Sequence, residues 1–244
     1  MMVLRCTEVP FGMRGDVVSQ TPPPVREAEF LAVDTTHEAE IKRRFNPFVR
    51  SLHSYLNQLA CLRDIQQTRR RWKARTAETD AFGNFATDPE HWYTFHHGGR
   101  NEAQFNVGLW TTYLRVGLGF EFTHKEFGDP TAVGLAYTCF TNVIKANRSQ
   151  FEHFVTDNQL EIEWTVYQVE IEGGPVQFVP TDEVVSWLLN PPREPGWVFV
   201  GRLLRRDQDA AVLGKPDALG NVMQAVLCGF RPIWEQTQVM AHAP

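Results

Sequence analysis

The sequence predicts an α+β fold: a central, mostly antiparallel sheet, a long N-terminal amphipathic helix, and C-terminal helices packed on one face. Three observations indicate this class. A helical apolar period lies near the N-terminus, alternation with a period of two occupies the centre, and helical patterns return toward the end. The length of 244 residues and the hydrophobic content of 43% suit a folded globular chain. We expect an irregular segment over residues 1–35 and a single α+β domain over residues 36–244.

The first regular element predicted is an amphipathic helix over residues 41–62. Its apolar residues recur in steps of three and four, which places them on one stripe of a helix: Ile41, Phe45, Phe48, Leu52, Tyr55, Leu59 and Leu62. Pro47 lies inside this pattern and predicts a kink or a restart. The basic stretch over residues 68–75 is expected to continue the helix as a tail.

The centre of the chain is predicted to form a β-hairpin over about residues 102–121, preceded by a strand over residues 91–97. Apolar residues alternate on both sides of Thr111-Thr112, and a tight turn there pairs residues whose numbers sum to 223. One face is then apolar, with Phe105 opposite Leu118 and Val107 opposite Val116. The other face carries Glu102 opposite Glu121, Gln104 opposite Gly119, Asn106 opposite Gly117, and Gly108 opposite Arg115.

Five further elements complete the expected order. A helix opens at Asp129-Pro130-Thr131, and a strand follows over residues 160–171. A short helix over residues 181–189, a strand over residues 197–204 and a helix over residues 217–236 end the chain. Glu161 and Glu163 fall on one face of the first of these strands, where we expect solvated acids of an edge strand.

The second face of the hairpin is interpreted as a functional site. Facing carboxylates repel each other unless a cation or a shared proton lies between them. Glycines inside a strand allow the close approach of a ligand to the backbone. The expected pocket residues are Trp92, Tyr93, Asn106, Gly117, Gly119 and Glu121. The alternative is an ordinary solvated sheet face, in which glycine marks a twist or a bulge.

The order Asp88, then Glu102-Ala103-Gln104 on a strand, is similar in layout to the motif of metal-dependent nucleases of the PD-(D/E)xK type. This resemblance implies that Asp88 and Glu102 hold Mg²⁺ and that Gln104 or His97 positions the attacking water. Gln104 stands where these nucleases have lysine, so the positive charge of that lysine is missing. Asp80 or Glu90 could equally supply the first acid.

A basic segment provides the second functional signal. Residues 41–75 hold ten basic side chains and one acid, Asp64, in a chain whose net charge is −5. Cations around an aromatic residue suit phosphate neutralisation and base stacking. The candidate nucleic-acid-binding residues are Arg69, Arg70, Arg71, Trp72, Lys73, Arg75, Arg100 and Arg115. Pairing with acids of the same protein or of another subunit, or the binding of other anions, are the alternatives.

Several classes of protein are excluded as leading hypotheses. The chain lacks the glycine-rich phosphate and dinucleotide motifs, the G-x-S-x-G elbow and the H-E-x-x-H zinc motif. It also lacks an apolar run long enough to span a bilayer and a signal-peptide pattern at Met1–Pro10, so a cytoplasmic protein is expected. The scattered cysteines Cys6, Cys61, Cys139 and Cys228 are expected to be free thiols.

The function predicted from these observations is that of a DNA-acting protein, specifically a Mg²⁺-dependent endonuclease or a restriction-type component. The first alternative is a non-catalytic binding module that holds a base, a peptide or a small molecule between aromatic walls such as Trp92, Tyr93 and Trp110. The second alternative is a structural protein whose helix over residues 41–62 pairs with another chain, for example in a homodimer.

Overall fold

The structure is a computed structural model that describes residues 20–33, 38–65, 67–74, 91–97, 103–122, 130–166 and 176–241. Within these residues the fold is α+β, as predicted. Its helices are α1 (Glu27–Val33), α2 (Glu38–Leu56), α3 (Pro130–Ala146), α4 (Arg148–Asp157), α5 (Val184–Leu189), α6 (Ala210–Leu213) and α7 (Pro216–Ala241). Its strands are β1 (Gln67–Ala74), β2 (His91–His97), β3 (Gln104–Leu109), β4 (Tyr113–Glu121), β5 (Glu161–Val166), β6 (Gln177–Val179) and β7 (Pro195–Arg205).

The described strands form one sheet in the order β1-β2-β3-β4-β7-β5-β6. Each neighbouring pair is antiparallel, which confirms the predicted sheet type. The predicted hairpin is confirmed with its register, because β3 and β4 pair from Gln104 with Gly119 to Leu109 with Leu114. The five strands β3 to β7 are described with their side chains, and for β1 and β2 the backbone register is described.

One face of the sheet, here called the core face, is covered by helices α3 and α7. It carries the apolar residues predicted for the hairpin, and Phe105, Val107, Val116 and Leu118 are all at most 2% exposed. Trp234 of α7 packs its ring 5.6 Å from the ring of Phe105 and donates its indole N–H to the carbonyl oxygen of Ala103 at 2.6 Å. On α3, the ring of Phe140 lies 5.0 Å from that of Phe120. The predicted packing of helices on one face is therefore confirmed.

The predicted helix over residues 41–62 differs from the structure at its end. Helix α2 stops at Leu56, and the chain continues in turns. Backbone N–H groups of Leu59, Leu62 and Ile65 each donate to a carbonyl three residues earlier. These three side chains stay buried, so the apolar spacing of three that predicted a helix is satisfied by successive tight turns.

Two further expectations about this region are wrong. Up to Ala74 the basic stretch belongs to strand β1 and is not a helical tail, and β1 pairs along its length with β2. Within the N-terminal segment predicted to be irregular, Glu27–Val33 is helical. Arg206, which follows β7, donates to the carboxylate of Glu27 and lies 5.7 Å from the ring of Phe30, so α1 is attached to the rest of the fold.

The cysteines also differ from the expectation of free thiols. Cys61, in the turns after α2, and Cys228 of α7 form a disulfide, with their Cα atoms 5.1 Å apart. Cys139 is a buried free thiol, and Cys6 lies outside the described residues. Beside the disulfide, Arg231 donates to the carbonyl oxygen of Cys61 and to both carboxylate oxygens of Asp64, each at 2.8 Å. The turns that lead into β1 are thus fixed to α7 by the disulfide and by the two-bond ion pair between Arg231 and Asp64.

Across the described part of the chain, no helix combines the length and the apolar character that crossing a membrane requires.

Candidate functional site

The face of the sheet opposite the core face is here called the polar face. Register places Gln104 and Asn106 of β3, Tyr113 and Arg115 of β4, and Glu163 of β5 on it. The solvated-face alternative is wrong for its centre, because Gln104, Asn106, Arg115 and Glu163 are each at most 5% exposed. Polar side chains buried to this degree require partners, since an unpaired buried charge is strongly destabilising.

Arg115 is the centre of this buried polar group. Its Nε donates to the side-chain oxygen of Asn106 at 2.8 Å, and its Nη1 donates to the carboxylate of Glu163. Tyr113 donates its hydroxyl to the other oxygen of Glu163 at 3.0 Å. Two side chains of β4 therefore reach across β7 to one carboxylate on β5. Burial lowers the pKa of Arg115, and the negative charge of Glu163 opposes that shift.

Aromatic rings surround the guanidinium of Arg115. Its Cζ lies 3.9 Å from the centre of the Trp110 ring, 4.9 Å from that of Phe199 and 5.0 Å from that of Trp197. Guanidinium groups stack on aromatic faces, and a desolvated stack contributes about 2 kcal/mol. The buried cation is thus compensated by one carboxylate, one amide oxygen and three rings.

The glycines of the polar face make room for these rings. A Cβ atom on Gly117 would lie 2.9 Å from the ring of Phe199, and one on Gly119 would lie 2.5 Å from the ring of Trp197. The expectation that the two glycines form the floor of a ligand pocket is therefore corrected, because side chains of β7 occupy that floor. Close approach was the right reason for the glycines, but the approaching groups belong to the protein itself. Glu121, at the end of the same strand, is half-buried.

The residues predicted for catalysis are only partly described. Gln104 lies on β3 as expected and is 1% exposed. His97 lies on β2 in register with Phe105. Asp88 and Glu102, the expected metal ligands, lie outside the described residues, as do Arg75 and Arg100. Among the residues that are described, no cluster of three or more His, Cys, Asp or Glu residues could hold a metal ion. The nuclease hypothesis stays a prediction.

The predicted nucleic-acid-binding residues divide into two groups. Arg115 is buried and paired, so its assignment to a phosphate contact is corrected. Arg69, Arg70, Arg71, Trp72 and Lys73 all lie on β1. Register runs from Arg71 through Thr94 and Gly108 to Arg115, and from Arg69 through His96 to Asn106. Arg69, Arg71 and Lys73 therefore occupy rows of the polar face, whereas Arg70 and Trp72 occupy rows of the core face.

At the end of the hairpin, aromatic residues follow one another across the sheet. Lys73 pairs with Trp92, and the register of β2 and β3, continued one residue beyond Tyr93 and Leu109, brings Trp92 opposite Trp110. The backbone N–H of Trp110 donates to the backbone carbonyl oxygen of Tyr113 at 2.8 Å. We call Trp92, Trp110 and Tyr113 the aromatic row. Tyr93, also predicted as a pocket wall, stands in the core-face row of Leu109.

Part of the aromatic row reaches the surface. Trp110 and Tyr113 are half-buried, and their rings are parallel within 6° with centres 5.3 Å apart. The ring of Phe178 on β6 meets that of Tyr113 edge to face at 5.9 Å and is 48% exposed. This end of the polar face therefore groups partly exposed aromatic side chains beside the buried ion pair of Arg115 and Glu163.

Sequence reasoning missed the residues that organise the site. Glu163 was expected to be a solvated acid of an edge strand, but β5 lies between β7 and β6 and the carboxylate is buried against Arg115. Its neighbour Glu161 forms a two-bond ion pair with Arg205, at 2.5 and 2.6 Å. Trp197 and Phe199 are separated by one residue on β7. The sequence did carry one signal for this arrangement. Gly117 and Gly119 alternate on β4, and Trp197 and Phe199 alternate on β7, the strand that pairs with it.

Comparison with models of known protein families finds no match, and comparison with curated proteins finds none of significant similarity.

Proposed function

We propose that the protein is a non-catalytic binding module for single-stranded nucleic acid. The observation that carries the proposal is the strand register, which brings Arg69, Arg71 and Lys73 of β1 and the aromatic row onto one face of one sheet. Two signals of the sequence, the cations Arg69, Arg71 and Lys73 and the polar face of the hairpin, thereby become parts of a single surface.

The aromatic row supports base stacking. Trp110 and Tyr113 are half-buried with parallel rings, so each is held in place while part of its surface reaches solvent. Stacking of a nucleobase on such a ring contributes about 1–3 kcal/mol per base and does not require a particular sequence. A base inside a duplex is already stacked, so this surface favours unpaired strands.

The buried polar group supports preorganisation of that surface. The guanidinium of Arg115 lies against the ring of Trp110, and Glu163 binds both Arg115 and the hydroxyl of Tyr113. Rings fixed by such contacts lose little side-chain entropy on binding, which raises affinity. The same contacts explain why Arg115 itself is not offered to phosphates.

The basic strand supports phosphate binding. Arg69, Arg71 and Lys73 alternate along β1, and neighbouring strands are spaced by about 4.8 Å. Three strand spacings, roughly 14 Å, separate β1 from β4 in the sheet order. A nucleic-acid chain bound at Arg69, Arg71 and Lys73 can therefore continue across the sheet and place bases on Trp92 and Trp110. The net charge of −5 for the whole chain is compatible with this, because the positive charge is local.

The test is fluorescence anisotropy with labelled oligothymidylate and with a duplex of equal length, in the presence of EDTA. We expect binding to the single strand, with log affinity falling by about 0.7 per phosphate contact for each tenfold increase in salt. The triple substitution Arg69→Ala, Arg71→Ala and Lys73→Ala should weaken binding and flatten this slope.

The matched control changes the same charge elsewhere, with Lys145→Ala, Arg148→Ala and Arg193→Ala, all of which are exposed in the structure. It should leave both affinity and slope near those of the wild type. Absence of single-strand binding by the wild type at low salt, or equal losses in the two triple variants, overturns the proposal.

A further inference from the structure

Phe178 stands out among the phenylalanines whose side chains are described. Nine of them, from Phe30 to Phe230, are at most 7% exposed, whereas Phe178 is 48% exposed. Burying a phenylalanine side chain contributes about 1.5–3 kcal/mol, so exposure of this size needs a reason. Val176, two residues earlier, is 42% exposed, and the two form an apolar patch on the outer side of the sheet.

The patch is continuous with the aromatic row. The ring of Phe178 lies 5.9 Å from that of Tyr113, which in turn lies 5.3 Å from that of Trp110. The ring centres of Trp110 and Phe178 are therefore at most about 11 Å apart. Successive stacked bases of a nucleic-acid chain rise by about 3.4 Å, so the two rings are separated by at most about three base steps.

The charges between the two rings permit a phosphate backbone to pass. Glu161 is bound by Arg205 through two hydrogen bonds, and Glu163 is bound by Arg115. Phe178 lies on β6, the last strand in the order of the described sheet, so the polar face ends there.

From these observations we propose that Phe178 forms a second stacking position for a nucleobase, at the end of the site remote from β1. The proposal rests on the function proposed above. A bound strand crosses the sheet from β1 over Trp110 and Tyr113 and ends with a base on Phe178. The class of ligand is a single-stranded oligonucleotide, and the outer position is the last one that adds affinity.

The test compares the affinities of oligothymidylates of increasing length for the wild type and for Phe178→Ala. Affinity of the wild type should rise with length and then level off. In Phe178→Ala the curve should coincide with the wild type for the shortest oligonucleotides and level off roughly 5- to 150-fold lower, which is the contribution of one stacked base. Phe178→Trp should restore the higher level.

Leu31→Ala is the matched control, because this substitution also removes an exposed apolar side chain. Leu31 lies on α1, away from the polar face, and is 46% exposed. Its length curve should coincide with that of the wild type. If the wild type binds no oligonucleotide, the proposed function fails. If the wild type binds and Phe178→Ala gives the same curve, the function stands and the second stacking position is wrong. A change of oligomeric state in Phe178→Ala, seen by sedimentation, instead assigns the patch to a protein partner and overturns the proposal.

Discussion

Gly117 of β4 and Gly201 of β7 are direct cross-strand partners, and neither position has room for a side chain. A Cβ atom on Gly117 would lie 2.6 Å from the Cα of Gly201, and one on Gly201 would lie 2.7 Å from the Cα of Gly117. Both would also meet the ring of Phe199, at 2.9 and 2.7 Å. The glycine pair is the base on which Phe199 lies, and Phe199 in turn supports the guanidinium of Arg115.

The first prediction concerns this pair. Gly117→Ala should lower the free energy of unfolding by about 1–3 kcal/mol or more, because overpacking displaces backbone and an aromatic ring together. Gly134→Ala is the control, since a Cβ atom there has no neighbour within 4 Å and the residue lies inside helix α3. It should leave the protein equally stable or more stable by up to about 1 kcal/mol. Urea unfolding measures both, and equal effects of the two substitutions would refute the packing role.

The second prediction concerns the buried ion pair. Glu163→Gln leaves Arg115 buried without its countercharge, and breaking such a pair costs about 3–5 kcal/mol. Glu152→Gln is the matched control, because Glu152 is 46% exposed and pairs with Arg148 on the surface of α4. Its cost should stay below about 0.5 kcal/mol. Thermal and urea unfolding provide the comparison, and a Glu163→Gln protein as stable as the control would contradict the account of the polar face.

The hairpin register could be predicted from the sequence, whereas the environment of its polar face could not. Alternation with a period of two and a short turn fix which residues pair, so the pairs from Gln104–Gly119 to Leu109–Leu114 follow from local pattern alone. Whether Asn106 and Arg115 are exposed or buried depends on residues far away in the sequence. Glu163 is 48 residues from Arg115, and Trp197 and Phe199 lie still further along the chain. No local pattern specifies which distant strand supplies those groups.

The basic strand shows a second limit of the sequence. Residues 68–75 are rich in Arg and Lys, which are favourable in helices, and they follow a helical apolar period. Up to Ala74 they belong to β1, whose conformation is set by pairing with β2 residues that lie 17 to 30 positions further along the chain. Tertiary pairing therefore overrides local preference, as it commonly does for strands.

The third prediction is a pH dependence. Tyr55 is 2% exposed and donates its hydroxyl to the carbonyl oxygen of Gly220 at 3.0 Å. Burial raises its pKa from 10.0 to about 12. Because the folded pKa is above the unfolded one, the neutral phenol stabilises the fold fully below pH 10. That contribution is then lost between about pH 10 and pH 12.

Tyr55→Phe isolates this group from others that titrate at high pH. Near neutral pH the variant should be less stable than the wild type by about 1 kcal/mol, since it lacks one hydrogen bond. The difference in the free energy of unfolding between the two proteins should shrink and then reverse as the pH rises above 10. Only the wild type must keep a buried phenol protonated. A difference that stays constant to pH 11 in urea unfolding would show that Tyr55 titrates normally.

The fourth prediction concerns the disulfide between Cys61 and Cys228, which closes a separation of 167 residues. Removing such a bridge costs about 2–5 kcal/mol. Protein denatured without reductant should show two fewer reactive thiols than fully reduced protein. The double variant Cys61→Ser and Cys228→Ser should unfold at lower urea, and reductant should destabilise the wild type but not this variant. Equal thiol counts with and without reductant would contradict the bridge. They would also favour the predicted cytoplasmic location, where structural disulfides are rare.

The last prediction separates the binding module from the nuclease suggested by the order Asp88, Glu102, Gln104. A binding module that uses β1 and the aromatic row needs no metal, so its binding to single strands should persist in EDTA, and Mg²⁺ should not strengthen it. Neither Mg²⁺ nor Mn²⁺ should produce cleavage of single-stranded or duplex DNA. A nuclease behaves differently, because metal-assisted hydrolysis depends on a charged ligand. Glu102→Gln would then abolish cleavage and leave folding and binding intact. Metal-dependent cleavage by the wild type that disappears in Glu102→Gln, in preparations of equal stability, would replace the binding module with the enzyme.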